Sequence, residues 1–557
     1  MLPPATRRRH FFREVYGEPV VGGTAWSVDA LTEGEVRERC DLAWRADDPD
    51  KFLEAANWLH RNDGLWGSHA RRLCWKLNDI GGYAQVLSIL ADPRYAKTET
   101  PNHWRTLAVA LAGAGRLIPA SEALERADQL RGAADPSDCI FAEALRLARE
   151  QGCRPDLIST WSEMARLVEA WLVLGSVQGA SDALADAFGR SLPMSEDDLV
   201  EALHLAQDIL RLAEPEVAEA FIVRMRPHFE RVGEPQPGVQ LCIALAHERE
   251  GRGEAAAAML GPLAQHRKGA EIKGAEFARL ELARAVGGLV MRKAAPRFAP
   301  AGRRKIIDMF PINDELLMLK VKLEEMHSWV DHFVIVEAAS TFTGHPKPLH
   351  FERAKSQFSE FSDKIVHVVV DSFPPWASTA WAREFYQRDC GLRGLADLCG
   401  EDDIVLITDV DEIVDRKIEG RLDIPFASLA MRSYGYFFNL ERLEARQSRW
   451  GAAVRAGFLR KVGPSYLRLG LPHYAKAFNL EDAGWHFSTV RDPDGLTSKF
   501  DSYSNETWSG ETRDFFDGLI SRIRREGGLE GFERRDIDDS FPAYIRDNAE
   551  TLRSLIL

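Results

Sequence analysis

The chain has 557 residues, with 85 acidic against 71 basic side chains and a formal charge of −14. That balance excludes a general nucleic-acid binder, which would show a basic face. A hydrophobic content of 45% with 28% charged residues is that of a globular protein, long enough for two to four domains. No apolar run approaches the roughly 18 residues needed to span a bilayer, so no transmembrane segment is expected.

Residues 1–30 read as a flexible segment. Arg7, Arg8 and Arg9 are followed by no apolar core, so a secretory signal is not expected. The seven cysteines (Cys40, Cys74, Cys139, Cys153, Cys242, Cys390, Cys399) include no C-x-x-C pair. Scattered thiols of this kind favour a reduced, cytoplasmic setting.

Residues 31–290 read as helix after helix, rich in Ala, Leu, Glu and Arg. Breaks fall at Gly132–Pro136, Gly152–Pro155 and Gly233–Gly238, and apolar residues recur at helical spacing, as in Leu199, Leu203, Ala206, Ile209 and Leu210. Trp104, Leu107, Ala108 and Leu111 fall on one helix, Gly115 at a turn, and Ala120, Leu124 and Ala127 on the next. Ala244, Gly251, Ala256 and Leu260 form a weaker copy. This register resembles a tetratricopeptide repeat, so a TPR-like α-helical domain is the expectation, with a plain helical bundle as the alternative. Such solenoids bind partners on a concave face, so a protein partner is a possible ligand of this part. Residues 291–304 hold two prolines, a glycine and five basic residues and read as a linker.

From 305 to 557 the pattern alternates. Lys305–Phe310 reads as a strand, Asn313 as an N-cap, and Asp314 and Glu315 as the acidic first turn of a helix. Strands His332–Val336 and Lys364–Val370 end in Glu337 and Asp371. After a helix near Ala380–Leu398, Ile404-Val405-Leu406-Ile407 runs into Thr408-Asp409-Val410-Asp411-Glu412-Ile413. Strands alternating with helices predict a mostly parallel sheet, with Glu337, Asp371 and Asp409 along one edge, where ligands bind in open α/β sheets. If the strand persists, Asp409 and Asp411 leave one face about 6.6 Å apart. Paired carboxylates of this kind suit Mg²⁺ or Mn²⁺. A solvated acidic turn would carry the same letters, so the neighbours decide.

Those neighbours resemble glycosyltransferase family 17. The resemblance runs from about Ile306 to Arg546. Its pieces are Phe310-Pro311-Ile312-Asn313-Asp314-Glu315-Leu316, Val330 through Ala338, Thr341 through Leu349, Lys364-Ile365, Trp381 through Glu384 to Gln387-Arg388, Asp403 through Ile413, Gly484-Trp485-His486-Phe487-Ser488, and Lys499. Two positions depart from the family: Val414 stands where proline is usual, and Asn505 where many members have histidine.

The resemblance implies a GT-A-like, Rossmann-type α/β domain that transfers a sugar, by default N-acetylglucosamine from UDP-GlcNAc. The acceptor would be a glycan, a lipid-linked sugar or a protein, and the reaction would invert the anomeric centre. It implies metal at Asp411, with Asp409 toward metal or ribose, and His486 as a further metal ligand or phosphate contact. Arg388 and Lys499 become phosphate partners. Glu337 would meet the base or ribose, and Thr341, Thr343 and Lys347 would bind the donor from the loop after their strand. Inversion needs a general base; Glu412 leads Glu384, Glu441 and Asp482. The helical part would position an acceptor or partner.

Two other classes fit parts of the pattern. A haloacid-dehalogenase-like phosphatase also has apolar residues before Asp-x-Asp, but Ile413 stands where that family has Thr or Val, and its motif opens the domain. A helical scaffold with an inactive transferase domain is the third reading.

Overall fold

The computed structural model describes residues 67–79, 83–91, 100–132, 139–151, 158–232, 237–265, 275–293, 303–396, 398–422, 426–443, 447–474, 479–504 and 511–557, with scattered helical positions before 67. The chain divides into two compact units at Arg252/Gly253. The first unit is helical among its described residues: α1 (Gly67–Asp79), α2 (Tyr83–Ala91), α3 (Pro101–Gly113), α4 (Leu117–Arg131), α5 (Cys139–Gln151), α6 (Trp161–Val173), α7 (Val177–Gly189), α8 (Glu196–Leu212), α9 (Pro215–Val232) and α10 (Pro237–Arg249). Local chemistry sets their ends. The Thr100 hydroxyl accepts from His103 N at the start of α3, and Ser195 and Asp198 form a reciprocal capping box at α8. Gly115 supplies the left-handed φ of 74° between α3 and α4. Ala108, Leu111, Ala120 and Leu124 are buried where the two helices meet.

The second unit begins with two more helices, α11 (Gly253–Ala264) and α12 (Ala275–Lys293). The sequence reading set the boundary at 291–304; most of that stretch, 294–302, lies outside the described residues, as does Asn505. Strand β1 (Ile306–Ile312) lies between β2 (His332–Ala338) and β4 (Ile404–Ile407), and β3 (Ile365–Val370) flanks β2. These four are parallel, with Met309 opposite both Val334 and Ile407. β1, β2 and β4 are almost wholly buried, which is why they read as continuous apolar runs.

The other half of the sheet is largely antiparallel, so the sheet is mixed. β8 (Gln447–Arg455) pairs antiparallel with β4 and with β6 (Phe426–Tyr434), and β7 (Leu440–Arg442) and β11 (Phe532–Arg534) continue that edge. β10 (Gly484–Phe487) joins β6 to the short β5 (Glu412–Val414), and β9 (Asn479–Leu480) adds to β6. Phe310, Leu319, Ile335, Leu406, Ile413 and Met431 belong to the core that spans both halves.

Further helices of this unit are α13 (Leu316–Met326), α14 (His350–Ala354), α15 (Ala380–Asp389), α16 (Ala456–Val462), α17 (Pro464–Tyr474), α18 (Pro493–Ser502) and α19 (Arg513–Glu526). α12 packs on α15 and α17. α13 starts later than its acids suggested. Glu315 is its N-cap residue, and the Glu315 carboxylate accepts from Asn313 N and Asp314 N, so Asn313 is not the cap.

Candidate active site

The acidic motif is a turn, not a strand face. β4 ends at Ile407 and β5 begins at Glu412, so Asp409 and Asp411 lie on the connection between them. Glu412 N donates to Asp409 O (3.0 Å), and Asp409 N donates to the Glu412 carboxylate (2.8 Å). The alternation rule therefore fails after Ile407, and the two aspartates reach one cavity because the chain reverses.

A buried lysine holds this turn from below. Lys322, on α13, has no exposed side-chain surface. Its Nζ donates to Thr408 Oγ1 (2.9 Å), Asp409 O (3.1 Å) and Glu412 O (2.6 Å), and pairs with Asp308 (3.0 Å) on β1. Thr408 Oγ1 donates to the other Asp308 oxygen (2.6 Å). The signal was present in the sequence: Lys322 shares the buried stripe of Leu319, Leu323 and Met326. A lysine at core spacing needs a buried acceptor set.

Two arginines hold the turn from the side. Arg388 Nη1 donates to Asp409 Oδ1 (2.7 Å), and its Nη2 to Glu384 (2.9 Å). Arg468, on α17, donates to Asp409 Oδ2 (2.6 Å) and to both oxygens of Glu412 (2.7 and 2.9 Å). Arg468 was missed; it is the charged residue within Tyr466-Leu467-Arg468-Leu469. Burial works against an ionised Asp409, but the guanidiniums of Arg388 and Arg468 outweigh it and hold the carboxyl well below its usual range.

Asp411 has a different set of partners. Lys499 Nζ, on α18, lies 2.7 Å from Asp411 Oδ2 and also donates to Ser488 O. His486 Nε2, on β10, lies 3.7 Å from Asp411 Oδ1. Burial again opposes ionisation, and Lys499 and His486 overcome it to lower the Asp411 pKa. These residues line a cavity of about 480 Å³ at the carboxyl ends of β1 and β4. Asp409, Asp411, Glu412, Arg388, Lys499, His486, Thr341 and Lys347 all border it.

Glu337, Thr343 and Asp371 are not among the residues that border the cavity. Glu337 is buried and accepts from Phe351 N (2.8 Å), Glu352 N (3.3 Å) and His367 Nε2 (3.1 Å). It anchors the start of α14 there. Asp371 is exposed. Thr343 ties its loop to α18 by donating to Asp501 O (2.8 Å). Of the acids considered as a base, Glu441 pairs with Arg535 (2.6 Å), and Asp482 is exposed and paired with Lys417 (2.7 Å). Neither borders the cavity. Glu384 and Glu412 do, but Arg388 and Ser504 engage the first, and Arg468 and Asp409 N–H the second.

For a divalent cation, the donor set divides. Asp409 has each oxygen engaged by one guanidinium, which leaves one lone-pair site on each. Asp411 Oδ1 and His486 Nε2 lie 3.7 Å apart and would share one ion, whose further ligands would be oxygens of phosphate and water. Among the described residues no group of three or more His, Cys, Asp or Glu is arranged to hold a metal. No described helix is long and apolar enough to cross a membrane.

Residues 295–516 match the sequence model described as Glycosyltransferase family 17. A rat protein named beta-1,4-mannosyl-glycoprotein 4-beta-N-acetylglucosaminyltransferase is 28% identical over 307 residues, which are 47% of this chain and 56% of that protein. The mouse protein of the same name is 27% identical with the same coverage. The human one is 28% identical over 246 residues, 38% of this chain and 45% of its own length. The chain thus spans about half the length of the curated relatives it matches.

Proposed function

We propose, from a C-terminal half that belongs to glycosyltransferase family 17, that this chain transfers a sugar from a nucleotide donor to a glycan hydroxyl. The observation that carries this reading is the arrangement at the motif: Asp411 flanked by Lys499 and His486 in a cavity at the ends of parallel strands. UDP-GlcNAc is the proposed donor, because the relatives are named as N-acetylglucosaminyltransferases. A glycan is the proposed acceptor, with a lipid-linked sugar or a protein as the other acceptor classes. Scattered cysteines without a C-x-x-C pair, buried at Cys40, Cys74, Cys242, Cys390 and Cys399, support a cytoplasmic setting.

Departure of the nucleotide builds negative charge on its pyrophosphate. Lys499 and His486 stand where they would meet that charge, and Asp411 with His486 would hold Mn²⁺ or Mg²⁺. Bound there, the metal would supply a fixed counter-charge. Arg388 and Arg468 keep Asp409 ionised and immobile. Lys322 fixes the backbone of the turn, so these groups need little rearrangement when charge develops. Inversion follows if the acceptor hydroxyl attacks opposite the leaving group. The first unit, with no such cluster among its described residues, is assigned to acceptor or partner positioning.

A phosphatase of the haloacid-dehalogenase kind needs its first aspartate as a nucleophile. Asp409 has both oxygens in charged hydrogen bonds, which disfavours that reading. The test is a screen of nucleotide sugars, with and without Mn²⁺ and glycan acceptors, with products identified. Nucleoside diphosphate and an extended glycan are expected. Inorganic phosphate as the product, or no turnover of any nucleotide sugar, would overturn the reading.

A further inference from the structure

We propose that α12, outside the family-matched segment, completes the donor pocket, with Arg279 stacked on Trp381 to receive the nucleobase of a nucleoside diphosphate. The proposal rests on the transferase reading above. Arg279 precedes residue 295, where the family match begins. Its guanidinium carbon lies 5.3 Å from the centroid of the Trp381 ring, and both side chains border the cavity.

Helix α15 provides the ruler. Trp381 sits in its first turn, and Arg388, seven residues later, holds Asp409. Seven residues rise about 10 Å. The stacked pair therefore stands about two turns from the acid–cation end of the cavity. An extended nucleoside diphosphate spans a distance of this order from terminal phosphate to base. The two ends also differ in chemistry. Asp411, Lys499 and His486 suit phosphates with a counter-ion. A guanidinium on an indole presents a planar polar surface, which suits a flat heteroaromatic ring with carbonyl acceptors.

Two contacts connect this wall to the rest of the site. Arg383 Nη1 donates to Phe342 O (2.7 Å), fixing the loop after β2 against the first turn of α15. Gln265, just after α11, donates to Ser504 O (3.4 Å), and the Ser504 hydroxyl donates to Glu384, the partner of Arg388. The α11–α12 pair thus borders the cavity at Arg279 and connects through Gln265 and Ser504 to Glu384, which also borders it.

The test is calorimetric titration of the full chain with UDP, GDP and ADP, and with inorganic pyrophosphate as the base-free probe, all with Mn²⁺. The wild type should bind at least one nucleoside diphosphate more tightly than pyrophosphate. Arg279→Ala and Trp381→Ala should each weaken that diphosphate about tenfold and leave pyrophosphate unchanged, with Arg279→Lys between. Thermal unfolding monitors the fold, and the lysine variant preserves the test if alanine is not tolerated. The proposal is overturned by unchanged diphosphate affinity in folded variants or by an equal loss for pyrophosphate. It is also overturned by an effect confined to acceptor KM, which would make the wall an acceptor subsite. A wild type that binds none of the diphosphates also overturns it; the nucleotide-sugar screen decides separately whether the transferase reading falls.

Discussion

Lys322 donates to the carbonyl oxygen of Glu412 across 2.6 Å, from a side chain with no exposed surface. A cation in the core is thus hydrogen-bonded to the backbone of the motif turn. Its counter-ion, Asp308, is equally buried. Replacing Lys322 with Met strands that carboxylate. Removing one partner of a buried pair costs about 3–5 kcal/mol, so Lys322→Met should lower the urea midpoint sharply and reduce turnover. The double variant Lys322→Met/Asp308→Asn should recover much of the stability without the activity, since the ammonium that ties Thr408 Oγ1, Asp409 O and Glu412 O together is then gone. Full activity in the folded double variant would mean that the turn does not depend on this cation.

A second buried acid predicts a pH effect. Asp389 has no exposed surface, and its Oδ1 accepts from Ser465 N (2.8 Å) and Ser465 Oγ (2.7 Å). Burial pushes its pKa from the ordinary carboxylate value of 3.8 up to about 7. Between those values the native state binds more protons than the unfolded chain. The associated stability is therefore complete below about pH 4 and lost as pH rises through about 7, amounting to up to about 4 kcal/mol. Asp389→Asn should remove this slope. Denaturant midpoints at several pH values would show the wild type falling relative to the variant from acid to neutral; parallel curves would refute the assignment.

The sequence was legible where burial imposes a pattern. β1, β2 and β4 are enclosed on both faces, so Ile, Val and Leu run without interruption and read as strands. The acids at their ends were legible as letters but not as geometry. Asp409 and Glu337 both end apolar runs, yet one faces a cavity and the other anchors α14. Which of these happens depends on partners distant in sequence, such as Arg468 and His367. The short strands β5, β7, β9 and β11 were harder to see, because two or three residues are too few for a period to emerge. α11 and α12 read as a continuation of the helical half, since periodicity reports a helix but not the surface that it covers.

That surface makes a third prediction. Gly287 on α12 meets Gly463 so closely that a Cβ added to Gly463 would lie 2.9 Å from Gly287 Cα, and one added to Gly287 would lie 3.0 Å from Val462 O. Gly463 also takes a φ of 74°. This contact sits over Asp389, whose Oδ2 lies within 3.3 Å of both added positions. A fragment starting at Gly253 should therefore unfold cooperatively and at higher temperature than one starting at Arg303, which uncovers α15 and α17. Gly287→Ala in the longer fragment should lower its Tm. Identical Tm values for the two fragments would show that α12 adds nothing to the second unit.

Asp411 carries the last prediction. Its Oδ2 is paired with Lys499 at 2.7 Å, and its Oδ1 faces His486 at 3.7 Å. Asn keeps the shape of the side chain but removes the charge, so an oxygen-seeking cation loses the anionic carboxylate that faces His486. Lys499 loses its counter-charge in the same change. Asp411→Asn should abolish Mn²⁺- or Mg²⁺-dependent turnover and lower the urea midpoint without unfolding the protein, since it strands Lys499; chelator should abolish turnover of the wild type. Val410→Ile, between the two aspartates, should alter turnover little. Lys499→Ala separates the metal from the lysine. If Lys499 meets the leaving pyrophosphate, the variant should lose about 2–4 kcal/mol of transition-state stabilisation, measured as kcat/KM at saturating Mn²⁺, while still binding the ion. An unchanged rate in folded Asp411→Asn, or full wild-type activity in chelator, would remove the metal from the proposed mechanism and leave Lys499 and His486 as the cationic groups facing the pyrophosphate.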